Sequence, residues 1–336
     1  MQKQLKVLVV GGLVKDVTFQ TKEGVLVENG KDLIRQKLLG FEFGAKLKID
    51  LDVAEFGFGG GAGNVATSLS KLGVKVSVLA AVGDDSVGSE IVKDLKVNKV
   101  DVGLVQRNSL PSGMSVVVRA RNLADEHVLF TYRGANEDLK IDLDELLKKK
   151  FDLIYVSSLS GRSAKNSLAK IFRYKQKNKQ VKIAWNPGGE QIAQGLNYLK
   201  AYLKNTDVLV VNKDEAIELC LSKNNFGGQN KRINNPHELM NILAEFASGV
   251  AVVTDGANGA FARFAGKEYF SVAGKIRVKD TTGVGDAFGS TFVWAYYQKT
   301  EEDVERSMEL AIKNACNVLK EVGARNGLSN ERELVG

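Results

Sequence analysis

Short apolar, β-branched runs alternate with longer amphipathic segments along most of the chain. The apolar runs cover residues 6–11, 76–83, 153–158, 181–186, 207–212 and 250–254, and segments with helical periodicity lie between them. Strands that are apolar throughout are buried on both faces, which requires helices on each side of a parallel sheet. We therefore predict an α/β fold with a doubly wound, mostly parallel sheet.

Two regions, about 14–57 and 113–133, break this rhythm because apolar and polar residues alternate loosely in them. Such alternation is typical of half-exposed antiparallel strands. We predict that both regions join in one small antiparallel β-sheet, inserted into a single domain of residues 1–336. A lid over a site at the strand ends is favoured over a surface hairpin. The Asn-rich segment 223–235 is predicted to be an exposed loop.

The composition narrows the class of protein. The chain has 336 residues, of which 44% are hydrophobic and 26% charged, as in ordinary globular proteins, and no apolar run reaches bilayer length. Two cysteines, Cys220 and Cys316, and two histidines, His127 and His237, leave little material for disulfides, zinc or histidine chemistry. We expect a cytoplasmic protein that does not bind a membrane.

The net charge of +7 suits an anionic ligand such as a nucleotide. The lysines are scattered, and no cluster of aromatic and basic residues resembles a nucleic-acid module. We therefore expect small-molecule partners and no nucleic acid.

Polar and glycine residues gather after the strands of the predicted sheet. In an open parallel sheet, ligands bind beyond the carboxyl ends of the strands. Each group alone has an ordinary explanation as a turn or a helix cap, but together they predict one site. The groups are Asp16, FGFGGGAGN up to Asn64, NKDE (212–215), TDGANGA (254–260) and DTTGVGDAF (280–288).

The last of these groups has two interpretations from its residues alone. Gly283 and Gly285 flank Val284, and Asp286 opens an apolar helical stretch. Glycines before a helix let a ligand reach bare backbone N–H groups, which favours an anion site. A tight turn followed by a capping aspartate would have the same sequence.

A dehydrogenase is the least favoured enzyme. Gly57, Gly59 and Ala62 fit the loose fingerprint GxGxxA, and Asp84 follows at a suitable distance. The preceding residues alternate in polarity, however, and do not have the pattern of a buried parallel strand. The phosphate-binding pattern GxxxxGK[ST] is absent from the sequence.

These motifs, taken in order, resemble the ribokinase-like carbohydrate kinases of the PfkB family over nearly the whole chain. Asp16 follows the first strand, GGGAGN ends at Asn64, NKDE fits NxxE, and TDGANGA fits TxGxxG. DTTGVGDAF fits DTxGAGDxF, with Val284 where Ala is usual. The resemblance implies transfer of the γ-phosphoryl group of ATP to a primary alcohol of a sugar or nucleoside.

The resemblance also implies roles for individual residues. Asp286 would be the catalytic base, with a low pKa expected at a helix N-terminus. Backbone N–H groups of residues 282–285, including Gly283, Val284 and Gly285, would form an anion hole. The remaining roles are nucleotide binding by Asn212, Thr254, Gly256 and Gly259; acceptor binding by Asp16, Gly60, Asn64 and Asp286; Mg²⁺ at Glu215; and K⁺ at Asp280 and Thr282 in some members.

The acceptor is the least determined part of this interpretation. Members that act on sugar phosphates have a lysine where this chain has Gly61, so a neutral sugar or nucleoside is favoured over a phosphorylated acceptor. Ribose, fructose, a keto-sugar acid and a nucleoside such as adenosine all stay open, as does a non-catalytic nucleotide-binding homologue. Lids in this family often meet across a two-fold axis, so we expect a homodimer through the lid.

Overall fold

The computed structural model describes residues 4–29, 37–47, 50–120, 127–222, 235–299 and 302–336. Within these ranges, nine strands form one sheet. They are β1 (Lys6–Val10), β6 (Lys75–Gly83), β7 (Asp101–Asn108), β10 (Leu153–Val156), β11 (Lys182–Trp185), β12 (Val208–Asn212), β13 (Val250–Thr254), β14 (Ala260–Phe264) and β15 (Lys267–Ser271). Their order in the sheet is β15-β14-β13-β12-β11-β10-β1-β6-β7. The strands from β7 to β13 in this order run parallel to one another, and β14 and β15 are antiparallel additions at one edge.

The central strands are buried on both faces, as their apolar sequences predict. In β1, the side chains of Val7, Leu8, Val9 and Val10 are fully buried, and they alternate between the two hydrophobic clusters on either side of the sheet. Burying a Val or Leu side chain contributes about 1.5–3 kcal/mol relative to leaving it exposed. This paired burial keeps the carboxyl edge of the sheet fixed in position.

Helices cover both faces of the sheet. Several begin with a side-chain cap, such as the Asp85 carboxylate that accepts from the Gly88 N–H. The helices are α1 (Gly61–Lys71), α2 (Ser86–Val97), α3 (Leu143–Leu147), α4 (Ala164–Lys177), α5 (Gly189–Ile192), α6 (Gly195–Leu203), α7 (Lys213–Leu221), α8 (Pro236–Ala244), α9 (Val284–Trp294), α10 (Val304–Val318) and α11 (Glu331–Val335).

Every strand predicted for the main sheet is present, but the sheet is wider than predicted. The two edge strands β7 and β15, and β14 next to β15, were not predicted from the sequence. Neither were α3, α5, α6, α10 and α11. Edge strands such as β7 are only partly buried, so they lack the uninterrupted apolar pattern. The predicted loop 223–235 lies outside the described residues except for Asn235, which caps α8.

The alternating regions form a second, smaller sheet in the order β5-β2-β8-β9. The strands are β2 (Val14–Thr21), β5 (Asp50–Gly59), β8 (Gly113–Ala120) and β9 (His127–Tyr132). The outer pairings are antiparallel as expected, whereas the central pairing of β2 with β8 is parallel. A separate hairpin consists of β3 (Val25–Glu28) and β4 (Lys37–Gly40). The sequence prediction of a single small sheet thus omits this hairpin and the parallel pair.

Register in the small sheet assigns its two faces. Val17 pairs with Phe56 and Val116, and Val116 pairs with Phe130, so these side chains share one face. Phe56 is 72% exposed and Phe130 59% exposed. The neighbouring residue Asp16, which pairs with Ser115, points to the opposite face because side chains alternate along a strand.

No helix among the described residues is long and apolar enough to cross a membrane.

Candidate active site

Two cavities lie side by side at the carboxyl edge of the main sheet. The first, of about 490 Å³, is mostly apolar and brings together the predicted residues Thr254, Gly256 and Gly259 with Val284 and Gly285. The second, of about 380 Å³, is polar and contains Asp16 and Thr282. The segment 281–285 contributes to both cavities, because Thr281 also lines the first one.

The start of α9 explains the glycines of DTTGVGDAF. Gly283 is the N-cap residue, with φ of 75°, and a Cβ there would lie 2.6 Å from the Ala324 Cβ. Both the left-handed backbone and this close approach require glycine. A Cβ on Gly285 would meet nothing within 4 Å, which leaves open space in front of its backbone. A helix begins with N–H groups that have no acceptor inside the helix, and such groups bind anions.

One predicted anion-hole group is already engaged. The Thr282 N–H donates to Asp280 Oδ1 at 2.9 Å, so it is not available to a ligand. The candidate anion hole therefore consists of the N–H groups of Gly283, Val284 and Gly285. Sequence alone could not show this, because an aspartate two residues before a threonine need not bend back to it.

Asp286 is held by a chain of polar side chains. Asn64 Nδ2 donates to Asp286 Oδ2 at 2.8 Å, and Arg325 Nε donates to Asn64 Oδ1 at 2.9 Å. Arg325 in turn pairs with Asp94 at 2.6 Å and donates to the Gly59 carbonyl at 3.4 Å. Asp286 is the third residue of α9 and its side chain is not the N-cap, which is Gly283. The interpretation of Asp286 as a capping residue is therefore wrong.

The expectation of a low pKa for Asp286 is also wrong. Burial raises the pKa of Asp286 to about 6, and the charge of Asp16 adds to this effect. The hydrogen bond from Asn64 and the charge of Arg325 oppose the increase in pKa. A carboxyl group with a pKa near 6 is a stronger base than an ordinary aspartate and is still ionised at neutral pH.

The glycine-rich motif lies next to Asp16 at Gly59, whereas its Asn64 contacts Asp286. A Cβ on Gly59 would lie 1.9 Å from Asp16 Oδ2, so only glycine leaves room for this carboxylate. Ser115 donates a hydrogen bond to Asp16 Oδ1. Gly60 has φ of 80° and packs on the Gly12 carbonyl, which turns the chain from β5 into α1. Burial raises the pKa of Asp16, and the Ser115 hydrogen bond and the Arg325 charge partly offset this.

The polar cavity also contains two cations that the sequence analysis missed, Lys71 and Arg325. The three guanidinium nitrogens of Arg325 are all committed to Asn64, Asp94 and Gly59. Arg325 follows α10 and belongs to none of the motifs. The glycines two residues away on each side (GARNG) are the only local signal in the sequence.

Asn212 and Glu215 form a reciprocal cap at the start of α7. Glu215 N–H donates to Asn212 Oδ1 at 2.8 Å, and Asn212 N–H donates to Glu215 Oε2 at 2.9 Å. Asn212 is also the register partner of Thr254 at the ends of β12 and β13. Burial raises the pKa of Glu215 to about 7; the Asn212 N–H opposes this increase and the charge of Asp286 contributes to it.

Partial burial and the charges of nearby carboxylates disfavour the ionised form of Glu215, and a bound cation would stabilise it, so Glu215 fits the implied Mg²⁺. No group of three or more metal-ligating side chains occurs in the part of the chain that the structure describes. Mg²⁺ commonly uses one or two carboxylates together with substrate phosphates and water.

The residues implied for K⁺ do not fit such an ion. Asp280 is 1% exposed, and its oxygens accept from the N–H groups of Thr282 at 2.9 Å and Gly323 at 2.7 Å. The Arg119 guanidinium forms a buried ion pair with the same carboxylate.

The dinucleotide fingerprint is also excluded by its position. Gly57 and Gly59 lie in β5, a strand of the small sheet that pairs antiparallel with β2. The fingerprint requires a parallel strand of the main sheet before the glycines.

Comparison with known proteins identifies the family of the chain. Residues 44–331 match the family model described as "pfkB family carbohydrate kinase". The chain belongs to the pfkB family of carbohydrate kinases, as its motifs indicated, and it is a carbohydrate kinase.

Relatives and solved structures are similar over most of their length. An uncharacterized sugar kinase of Archaeoglobus fulgidus is 26% identical, covering 77% of this chain and 97% of the relative. The 2-dehydro-3-deoxygluconokinase of Thermoproteus tenax is 26% identical, with 82% and 83% covered. The ADP complex of ribokinase from Cryptococcus neoformans has a TM-score of 0.76 at 20% identity, with 98% and 99% covered. The nucleoside kinase of Methanocaldococcus jannaschii has a TM-score of 0.72 at 19% identity, with 100% and 98% covered. The ribokinase fold is therefore confirmed.

Proposed function

We propose that this kinase transfers the γ-phosphoryl group of ATP to a primary alcohol of a neutral sugar. The observation that carries the proposal is the wall shared by the two cavities. Thr281, Val284 and Gly285 face the apolar cavity, which suits a nucleotide, and Thr282 faces the polar cavity that contains Asp16. A phosphoryl group passing between the two cavities would cross the start of α9.

Asp286 is the proposed base. Its Oδ2 atom accepts the Asn64 hydrogen bond, and its Oδ1 atom lies 3.6 Å from where a Cβ of Gly61 would be. The acceptor hydroxyl gives its proton to Oδ1 as its oxygen bonds to the γ-phosphorus. The bond from that phosphorus to the bridging oxygen of ADP breaks at the same time. A base that is both ionised and moderately strong at neutral pH suits this transfer.

The N–H groups of Gly283, Val284 and Gly285 stabilise the charge on the transferring phosphoryl group. Phosphoryl transfer depends mainly on positioning and on charge stabilisation, which fixed backbone dipoles provide. Val284 in place of the usual Ala preserves these donors and lines the nucleotide cavity. Thr254, Gly256 and Gly259 border the nucleotide in the same cavity, next to Asn212.

Glu215 and Asn212 are the proposed residues that organise Mg²⁺. When bound, Mg²⁺ neutralises charge on the nucleotide phosphates. Glu215 is oriented for this by its own helix cap, which leaves one carboxylate oxygen outside the hydrogen bond to Asn212.

A neutral acceptor is supported by the charges of the polar cavity. Three carboxylates, Asp16, Glu55 and Asp94, line this cavity. Of its two cations, Arg325 is already bonded to protein groups and Lys71 donates to the Leu328 carbonyl at 3.4 Å. Asp16, which is held by Ser115, would accept hydrogen bonds from the hydroxyl groups of the sugar, with Gly60 and Asn64 as the other acceptor-binding residues. A nucleoside is the second candidate, because the nucleoside kinase of M. jannaschii shares the fold.

A panel of acceptors tests this proposal. Purified protein with ATP and Mg²⁺ should release ADP with ribose, fructose or another neutral sugar, and phosphorylation should be at a primary hydroxyl. A phosphorylated sugar, a keto-sugar acid and adenosine serve as comparison acceptors. Strong preference for an anionic acceptor would contradict the neutral-sugar part of the proposal. If no acceptor in the panel raised ADP release above background, the whole proposal would be contradicted.

We further propose that the small sheet is a lid of a single kinase domain and joins two copies of the chain. Its inner face carries Asp16 and Ser115, so closure over a sugar would remove water from the site. Its outer face exposes the apolar side chains of Phe56, Met114, Phe130 and Tyr132. A group of exposed apolar side chains on one face of a sheet is typical of an interaction surface, which supports a dimer through this face.

A further inference from the structure

The carboxylate of Asp280 fixes the loop that leads to the candidate anion hole. Its oxygens hold the N–H groups of Thr282 and Gly323, and Gly283 follows directly with its positive φ. Burial alone would raise the pKa of Asp280, but these backbone hydrogen bonds and the charge of Arg119 hold it below the ordinary value. Asp280 is therefore a buried, ionised group that needs a positive partner.

Arg119 supplies that partner from outside the loop. It lies in β8 of the small sheet, is 6% exposed, and pairs with Asp280 Oδ2. Its Nη1 atom also donates to the Lys279 carbonyl at 3.4 Å. The guanidinium thus contacts the loop through both a side chain and a backbone oxygen.

We propose that the Arg119 guanidinium takes the place of a monovalent cation at Asp280, so that the kinase needs no K⁺. The arrangement of donors carries this inference. With two backbone N–H groups and an arginine on its oxygens, Asp280 has little capacity left for a metal ion, and the guanidinium repels one. The inference rests on the proposed function where it is tested by reaction rates. Where it is tested by protein stability, it depends only on the ion pair between Arg119 and Asp280.

The proposal makes Arg119 a positioning residue, which acts on the phosphoryl group only through Asp280 and the loop. An ordinary structural ion pair between β8 and this loop would have the same distances. A guanidinium that replaces a monovalent cation and an ordinary ion pair differ in how the protein responds to added cations and to a charge-conserving substitution.

The experiment compares the wild type, Arg119→Lys and Arg119→Ala in K⁺, Na⁺ and N-methylglucamine chlorides. Rates with Mg-ATP and the best acceptor in the wild type should agree within about twofold in the three salts at one ionic strength. Arg119→Lys should stay close to the wild type. Arg119→Ala should be slower by about 10²-fold in N-methylglucamine, because the anion-binding groups lose their position, and K⁺ should restore part of the rate.

Melting temperatures without nucleotide or acceptor give an independent readout. K⁺ should leave the wild type unchanged and should raise the melting temperature of Arg119→Ala, where the vacated space admits an ion. Arg306→Ala, which removes an exposed partner of Glu309, is the matched control and should respond to no cation.

Activation of the wild type by K⁺ of about tenfold or more would overturn the inference. So would an Arg119→Ala protein whose rate and melting temperature are the same in all three salts. If no acceptor is phosphorylated by the wild type, the proposed function fails, while the melting temperatures still test the ion replacement.

Discussion

Asn64 donates from its amide to the Asp286 carboxylate at 2.8 Å, across 222 residues of sequence. The bond joins the first turn of α1 to the first turn of α9, two helices that start at the carboxyl edge of the main sheet. Because Arg325 holds the other end of the same amide, Asn64 cannot rotate its oxygen towards Asp286 without losing that hydrogen bond. The orientation of the base is thus decided by residues from three distant parts of the chain.

Asp286→Asn should lower kcat by about 10²- to 10⁴-fold, the usual contribution of a positioned proton acceptor. Nucleotide affinity, measured by calorimetry, should change little. Asp303→Asn is the matched control, since Asp303 caps α10 by accepting from Arg306 N–H and Asn caps equally well. A folded Asp286→Asn protein with nearly full activity would refute the base assignment.

The same substitution should stabilise the protein in the absence of nucleotide, and more so at high pH. The folded pKa of Asp286 is about 6 against an ordinary 3.8, so between these values the folded state binds a proton that the unfolded state does not. This group therefore lowers the free energy of unfolding as pH rises through about 6. The stability gain of Asp286→Asn in urea unfolding should be larger at pH 8 than at pH 5 by about 1 kcal/mol. Equal gains at both pH values would contradict the raised pKa.

Arg325→Met should shift the dependence of kcat on pH. The wild-type rate should fall as pH decreases through about 6, where Asp286 becomes protonated. The Arg325 charge holds the pKa of Asp286 down, so its loss should move this decline to higher pH. Arg325→Lys keeps the charge and should move the profile less. If kcat of Arg325→Met were lower at every pH but fell at the same pH as in the wild type, Arg325 would have only a packing role.

Glu215→Gln should raise the Mg²⁺ concentration needed for half-maximal rate and should depress turnover. Gln can replace Glu in the reciprocal cap with Asn212, so the melting temperature without Mg²⁺ should stay near that of the wild type or rise. Mg²⁺ titrations at fixed ATP measure the effect. Unchanged activity at limiting Mg²⁺ would mean that Glu215 serves only as a helix cap.

Phe130→Asp should dissociate the proposed dimer. Phe130 is 59% exposed on the outer face of the small sheet, where a charge would be tolerated in a monomer but not in an apolar interface. Sedimentation velocity at micromolar concentration should show a dimer for the wild type and a monomer for the variant. Phe43→Asp, at a fully exposed side chain outside the small sheet, is the control and should leave the wild-type state unchanged. A monomeric wild type would remove the dimer without affecting the site.

The parallel sheet and the position of the glycine motifs at its carboxyl edge could be predicted from local sequence. Uninterrupted apolar runs such as KVLVV can be buried only between two layers of helices, and the glycine motifs after the strands follow from local backbone needs. These signals are local, so they can be read without the fold. The same holds for Gly283, whose positive φ is a property of one residue.

The pKa and the orientation of Asp286 depend on contacts between distant parts of the chain. The raised pKa of Asp286 comes from burial and from Asp16, and its orientation comes from Asn64 and Arg325, none of which is near it in sequence. The pairing of Arg119 with Asp280 likewise joins the small sheet to the loop before α9, two parts of the chain that are far apart in sequence. Electrostatic interactions depend on distances through space and on the exclusion of water, and neither is encoded in the spacing of residues along the chain.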